Sequence, residues 1–266
     1  MRANSHEAVG PPYLERRTVS ALMIVLMNIW VPLLMVIDTV IGIVLFPVGL
    51  LVWRLVTRWP LARIMRHFIW IYGRVWMWIV SPFVRFRLAG ADREWARRPI
   101  MYVANHLSFV DIFCLSAMPV FDVVICLRSW PFRMVWFAPF MRLAEYLDLE
   151  SLPWDEIVAR SKGVFSAGRS MLVFPEGHRS RDGRLGRFHS GAFKLALQSS
   201  VPIVPICITG TDRISPPARR WLEPSRVSIE CLEPIAPEQF EGDLGHIELR
   251  RTVKQRMEAC LARLSA

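Results

Sequence analysis

The sequence predicts an α/β domain, a mixed and mostly parallel sheet flanked by helices, preceded by an N-terminal helical membrane segment. Three observations predict it. From Ser20 to Trp53 the chain is almost unbroken apolar sequence, with Asp38 its single charge. Beyond Pro82 short apolar runs alternate with longer helical stretches, the pattern of strands and helices that share one buried sheet. The 266 residues, 53% of them hydrophobic, are enough to bury a sizeable core. That hydrophobicity excludes an intrinsically disordered chain. Five cysteines, an odd count without a C-x-x-C pair, argue against a disulfide scaffold or a zinc site and read as reduced thiols of a cytosol-facing domain.

Residues 1–19 read as an N-terminal tail and residues 20–56 as a membrane-embedded helical segment. At ~1.5 Å per residue the apolar run makes a helix of roughly 50 Å, longer than a hydrocarbon core of ~30 Å. Pro32, Pro47 and Gly49 offer breaks. The segment is therefore either one tilted span or two shorter helices dipping into one leaflet. Asp38, expensive in lipid, favours a bend or a protein-facing position. A signal peptide fits poorly, because the run is too long and no small-residue cleavage site follows it.

Residues 57–82 read as an amphipathic helix at the lipid interface. Arg63, Arg66, His67 and Arg74 fall near one helical face, and Phe68, Ile69, Trp76, Ile79 and Val80 fall mostly elsewhere. The other reading is a core helix with a solvated basic edge. Between Arg54 and Pro99 ten arginines meet only Asp92 and Glu94. This excess beside an apolar run places the following domain on the cytoplasmic face of the membrane, the inner membrane in a bacterium.

Residues 83–266 form the soluble domain. Candidate strands are 84–89, 100–104, 122–127, 171–174, 203–208 and 226–232; candidate helices are 108–117, 131–145, 155–167, 189–199 and 245–263. Pro216-Pro217 marks a surface loop. The formal charge is +10, and 30 of the 33 cationic residues are arginine. Guanidinium forks match phosphate and carboxylate, so the partner is acidic. Nucleic acid fits the charge but not the apolar segment, and no aromatic-basic ribonucleoprotein motif or helix-turn-helix stands out, so the pattern points to membrane lipid and not nucleic acid. Nothing in it sets an oligomeric state.

Strand 100–104 runs directly into Asn105-His106-Leu107-Ser108-Phe109-Val110-Asp111. His106 lies at a strand end, where side chains face a crevice. Ser108 and Asp111 form an S-x-x-D helix start. With His106 before the helix and Asp111 in its first turn, the carboxylate holds one imidazole nitrogen, fixes the tautomer and leaves the other nitrogen as a general base. Taken alone, this spacing more often means a capping Asp beside a satisfied polar His. A second motif is Phe174-Pro175-Glu176-Gly177-His178-Arg179-Ser180, a strand end followed by a turn. There Gly177 permits close backbone approach, Glu176 accepts from a substrate hydroxyl and Arg179 pairs with a phosphate. The third, Val201-Pro202-Ile203-Val204-Pro205, reads alone as a packed strand.

Together and in this order the three blocks resemble the 1-acylglycerol-3-phosphate O-acyltransferases, a family of lysophospholipid acyltransferases, over roughly residues 80–235. The resemblance implies the family's glycerolipid acyltransferase-like fold over residues 83–266. It also implies transfer of a fatty acyl group from acyl-CoA or acyl-acyl carrier protein to the free hydroxyl of a lysophospholipid. The expected acceptor is 1-acyl-sn-glycerol-3-phosphate and the expected product phosphatidic acid. It assigns His106 as base and Asp111 as its orienting partner. It places Asn105, Ser108, Arg128, Glu176, Gly177, His178, Arg179 and Ser180 around the substrates. It requires no metal, no cofactor and no covalent acyl-enzyme, and no G-x-S-x-G elbow is present. Another lyso-lipid acceptor, such as a lyso-aminolipid or a specialised hydroxylated product, and a non-catalytic lipid-binding protein are the alternatives.

Three positions depart from the family pattern. His178 stands where Thr is usual. The block that usually ends in an arginine thought to hold the acceptor phosphate is acidic here, Glu145 to Glu150, and Ser151 follows it. Ser190 stands where Lys usually precedes Gly-Ala.

Overall fold

The apolar run folds as one uninterrupted helix, α1 (Ala21–Thr57), with Pro32 and Pro47 inside it. The break that these prolines offered is not taken. At ~1.5 Å per residue α1 is about 55 Å long. Within the chain only its Met27 and Val31 are buried, and it is long and apolar enough to cross a membrane by length and composition. The computed structural model describes residues 21–92, 99–135, 137–180, 182–215 and 221–265; the tail 1–19, Arg181 and the Pro216-Pro217 loop lie outside them.

A second helix, α2 (Leu61–Val80), runs back along α1. The contacts descend in antiparallel order. Trp53 meets His67, Phe46 meets Phe68, Thr39 shares a 3.0 Å hydrogen bond with Tyr72, and Trp30 Nε1 donates to the Ile79 carbonyl at 3.1 Å. The basic side of α2 faces the domain. Arg66, 2% exposed, donates from Nε to Asp122 at 2.7 Å and from Nη1 to the Ala144 carbonyl at 2.8 Å. Arg63 stacks 4.2 Å over Trp59 and also reaches Asp122 at 3.3 Å, while Arg74 stacks 4.8 Å over Trp70. Farther back, Asn28 of α1 donates to the Leu222 carbonyl and accepts from the Leu222 N–H, both at 2.8 Å.

Gly73 sets how closely α2 approaches the domain. A Cβ there lies 2.0 Å from Ser116 Oγ and 2.8 Å from Ser116 Cβ. The Cβ cannot rotate away, so Gly73→Ala requires the helix or the Ser116 turn to move. Overpacking of this kind costs about 3 kcal/mol. We expect a lowered midpoint of thermal unfolding; an unchanged midpoint refutes the tight seam.

The strands are β1 (Val84–Ala89), β2 (Met101–Ala104), β3 (Val123–Leu127), β4 (Leu147–Asp148), β5 (Ser170–Val173), β6 (Ile203–Thr209) and β7 (Ser225–Cys231). They form one sheet in the order β1-β7-β6-β2-β5-β3-β4, parallel except between β6 and β7. The predicted mixed, mostly parallel sheet is thus present. Six strands lie within a residue or so of their predicted ranges, and the two-residue β4 is an addition. Helices α3 (Asp111–Cys114), α4 (Ala138–Leu143), α5 (Trp154–Ser166), α6 (Gly191–Gln198), α7 (Thr211–Ile214) and α8 (Gly245–Ser265) complete the chain.

Two predicted helices are shorter than expected. The 131–145 stretch divides into a 3-10 turn, Trp130–Arg133, and α4, each with a proline in its first turn. Proline lacks the N–H that a helix interior needs and is tolerated in the first turn, so each proline sits at the start of a new segment. The 108–117 stretch yields α3 and a 3-10 turn, Leu115–Ala117.

The sheet separates two cores. One packs α5, α6 and α8 against it through Phe165, Phe193, Leu249, Val253 and Met257; the other packs α1, α2 and α3 through Met27, Trp76, Ile79 and Cys114. All five cysteines are free and buried. Burial pushes the Cys126 thiol up to about 12, and burial with nearby Glu230 does the same for Cys231, so neither is a nucleophile at neutral pH.

Candidate active site

β2 is flanked by two parallel neighbours, β5 and β6, and its C-terminal end delivers His106. Asn105 fixes that end. Its Nδ2 donates to the Ile208 carbonyl at 2.9 Å and its Oδ1 accepts from the Ile208 N–H at 2.7 Å. Both amide atoms are thus committed to β6, and Asn105 is 1% exposed. Expected beside the substrate, it lies beneath the site as a brace.

His106 and Asp111 meet. His106 Nδ1 lies 2.8 Å from Asp111 Oδ2, which also accepts from the backbone N–H groups of Leu107 at 2.7 Å and Ser108 at 2.9 Å. Asp111 is fully buried and reaches back over residues 107–110, which is why the helix starts at Asp111 and not at Ser108. An Nδ1–H donated to a carboxylate leaves Nε2 as the free base of the ring. The imidazole lies against Phe174 with ring centroids 4.3 Å apart. Ser108, also expected at the substrate, is 1% exposed, and its hydroxyl donates to the Ser215 carbonyl at 3.3 Å.

The second motif forms the adjoining wall. A turn from Phe174 to Gly177, closed by a 3.1 Å backbone hydrogen bond, places Gly177 at φ +69°. A side chain is strained at that φ, and a Cβ also approaches the His189 ring at 3.4 Å. Glu176 is 1% exposed. Its Oε1 accepts from the His106 N–H at 3.1 Å and its Oε2 from the Gly186 N–H at 2.8 Å. Expected to receive a substrate hydroxyl, Glu176 lines the cavity and also clamps the end of β2 to the following loop. The Ser180 N–H donates to the His106 carbonyl at 2.7 Å and tightens the same junction. His178 and Arg179 are exposed.

These residues border a cavity of about 1540 Å³. Its apolar walls come from both helices of the N-terminal hairpin (Gly42, Phe46, Phe68, Tyr72) and from Phe113, Phe140 and Phe174. His106, Arg128, His178, Arg179, Asp182 and Arg184 supply polar lining. An apolar trough beside one base and several cations suits an amphiphile with an anionic head. Among the described residues no group of three or more His, Cys, Asp or Glu is placed to hold a metal.

Sequence reasoning missed the ring of Phe174 against His106, the clamping role of Glu176 and the pairing of Arg128 with Glu150, whose Nε–Oε1 distance is 2.6 Å. The acidic block from Glu145 to Glu150 carried a signal for the last of these, since an arginine elsewhere in the fold was available to answer it.

Residues 85–209 match the family model described as Acyltransferase. A chloroplastic 1-acyl-sn-glycerol-3-phosphate acyltransferase of Arabidopsis thaliana is 33% identical over 169 residues, 59% of this chain and 44% of that protein. The 1-acyl-sn-glycerol-3-phosphate acyltransferase alpha of Mus musculus is 28% identical over 167 residues, 60% of this chain and 58% of that one. The chain thus spans about half the length of these curated relatives. The crystal structure of the 1-acyl-sn-glycerophosphate (LPA) acyltransferase PlsC of Thermotoga maritima superposes with a TM-score of 0.73 at 23% identity, covering 90% of this chain and 96% of that one, and shows the same fold. Motif blocks, family model and relatives agree: residues 85–209 match the Acyltransferase family, and the chain is similar to 1-acyl-sn-glycerol-3-phosphate acyltransferases.

Proposed function

We propose that the protein transfers a fatty acyl group from acyl-CoA or acyl-acyl carrier protein to the free hydroxyl of 1-acyl-sn-glycerol-3-phosphate, giving phosphatidic acid. The observation that carries this reading is the 2.8 Å contact of His106 with Asp111 in the wall of an apolar cavity. His106 Nε2 takes the proton of the acceptor hydroxyl as its oxygen attacks the thioester carbonyl carbon. The buried Asp111 carboxylate stabilises the imidazolium that forms. Collapse of the tetrahedral intermediate breaks the C–S bond, and the departing thiolate takes the proton back from the imidazolium. Arg128 and Arg179 answer the acceptor phosphate. No metal enters the reaction.

The division of the chain follows the same reading. Residues 20–56 embed in the bilayer, residues 57–82 lie at its surface, and residues 83–266 carry out the transfer on the cytoplasmic face. The helical hairpin then serves as both anchor and cavity wall, which keeps the acyl chains of the substrates in apolar surroundings.

Thiol release tests the proposal directly. Carbonate-washed membranes carrying the protein are given palmitoyl-CoA or palmitoyl-carrier protein and a panel of acceptors, with His106→Ala as the blank. We expect His106-dependent release with lysophosphatidic acid. Release only with a phosphate-free lyso-lipid moves the acceptor, and no release with any acceptor from folded protein refutes the enzyme. Recovery of the protein in the wash refutes the membrane segment.

A further inference from the structure

One charge arrangement beside the cavity is not required by the proposed chemistry. Arg128 follows β3, and its side chain lines the cavity. Its Nε donates to Glu150 Oε1 at 2.6 Å, and its Nη1 points to the Gly177 carbonyl at 3.5 Å. The carboxylate is itself fixed: Glu150 Oε2 accepts the Ser129 N–H at 2.9 Å. Asp148 builds the turn beneath it. Asp148 Oδ1 accepts from Ser129 Oγ at 2.7 Å, from the Glu150 N–H at 3.0 Å and from the Ser151 N–H at 3.1 Å, and Oδ2 accepts from Ser151 Oγ at 2.7 Å.

These bonds favour the ionised form of both carboxyls. The Ser129 N–H and then Arg128 hold Glu150 below the usual carboxylate range. Partial burial works against Asp148, but the hydroxyls of Ser151 and Ser129 prevail and lower it. A guanidinium beside the cavity is therefore occupied by a tethered anion, in the segment where the family resemblance expects a further arginine.

We propose that Glu150 is a specificity-determining residue that acts through Arg128. It is a built-in competitor for the anion of the acceptor head group, so the acceptor engages Arg128 only by displacing it. The inference rests on the proposed acyl transfer for its biological meaning and on the ion pair for its physics. Both partners are about half exposed, with side-chain exposures of 55% for Arg128 and 42% for Glu150, so the exchange costs little. Asp148 holds the turn without help from the Glu150 side chain, so the loop survives the exchange. A phosphate, more highly charged than a carboxylate, displaces Glu150, and an uncharged head group does not. Acceptor and product carry the same phosphate, so Glu150 weakens both alike and returns to Arg128 when the product leaves.

Glu150→Gln keeps an oxygen for the Ser129 N–H and removes the charge. Two readouts are taken on the full chain in mixed micelles: equilibrium binding of lysophosphatidic acid and steady-state thiol release. Relative to the wild type, Glu150→Gln should tighten the Kd and lower the acceptor KM by roughly two- to fivefold, the scale of an exposed ion pair. Inhibition by phosphatidic acid should tighten equally, and the KM for the thioester should not change. In an Arg128→Gln background the same substitution should have no effect. Unchanged binding, weaker binding, or an effect that persists without Arg128 each overturns the proposal. Binding that tightens as expected while neither protein releases thiol leaves Glu150 as competitor and refutes the acyl-transfer reading instead.

Discussion

Replacing His106 with alanine is expected to lower acyl transfer about 10²- to 10⁴-fold, the range of a lost general base. The fold should remain. The ring is 18% exposed, its side chain is hydrogen-bonded to Asp111, and the Asp111 oxygen that loses this bond still accepts from Leu107 and Ser108. A shift in unfolding midpoint of no more than about 3 °C, the equivalent of ~1 kcal/mol in a chain of this size, is the matching expectation. Asp111→Asn separates orientation from charge. The amide oxygen can keep the two backbone donors while the negative charge opposite the imidazolium disappears. Its rate should fall between those of wild type and His106→Ala, and a wild-type rate in Asp111→Asn removes the dyad from the mechanism. Thiol release and calorimetry on the same preparations decide both questions.

Glu176→Ala should be costlier for the protein as a whole. The His106 and Gly186 N–H groups both donate to this carboxylate, and among the described residues no other acceptor meets them. Truncation leaves two donors to be satisfied in a nearly dry site, at about 1–3 kcal/mol each. The strand end that presents His106 loses its tie to the loop that follows the second motif, so activity and midpoint should fall together. This distinguishes a clamp from a substrate contact. A contact residue raises the acceptor KM and leaves the midpoint alone, and that result refutes the clamp.

Strands were the most legible part of the fold because each is a short apolar run buried within the sheet, and their order along the chain alternates with helices. The antiparallel pairing of β7 with β6 was not legible, since it depends on how the chain returns after Thr209. The hairpin was half legible. Apolarity announces α1, but whether two prolines break a helix depends on what surrounds it. The arginines of α2 look like a surface stripe in sequence because Asp122 and the Ala144 carbonyl, which receive Arg66, lie 56 and 78 residues away. The site shows the same limit. His106 and Asp111 are five residues apart, so their meeting follows from a local turn. Asn105, Glu176 and Arg128 lie near the site as expected from their motifs, and their partners are remote backbone atoms or a charge on another loop. The sequence therefore did not reveal that each side chain is also engaged within the protein.

The paired hydrogen bonds between Asn28 and Leu222 join residues 194 positions apart. At a synthesis rate of ~5–20 residues per second, α1 waits roughly 10–40 s before the backbone that secures it has been made. For that interval α1 has α2 beside it but lacks the Leu222 backbone that receives Asn28. The contacts of the hairpin with the sheet form only after both of its helices have been made. An early-made helix thus receives one of its ties only after most of the chain has been synthesised.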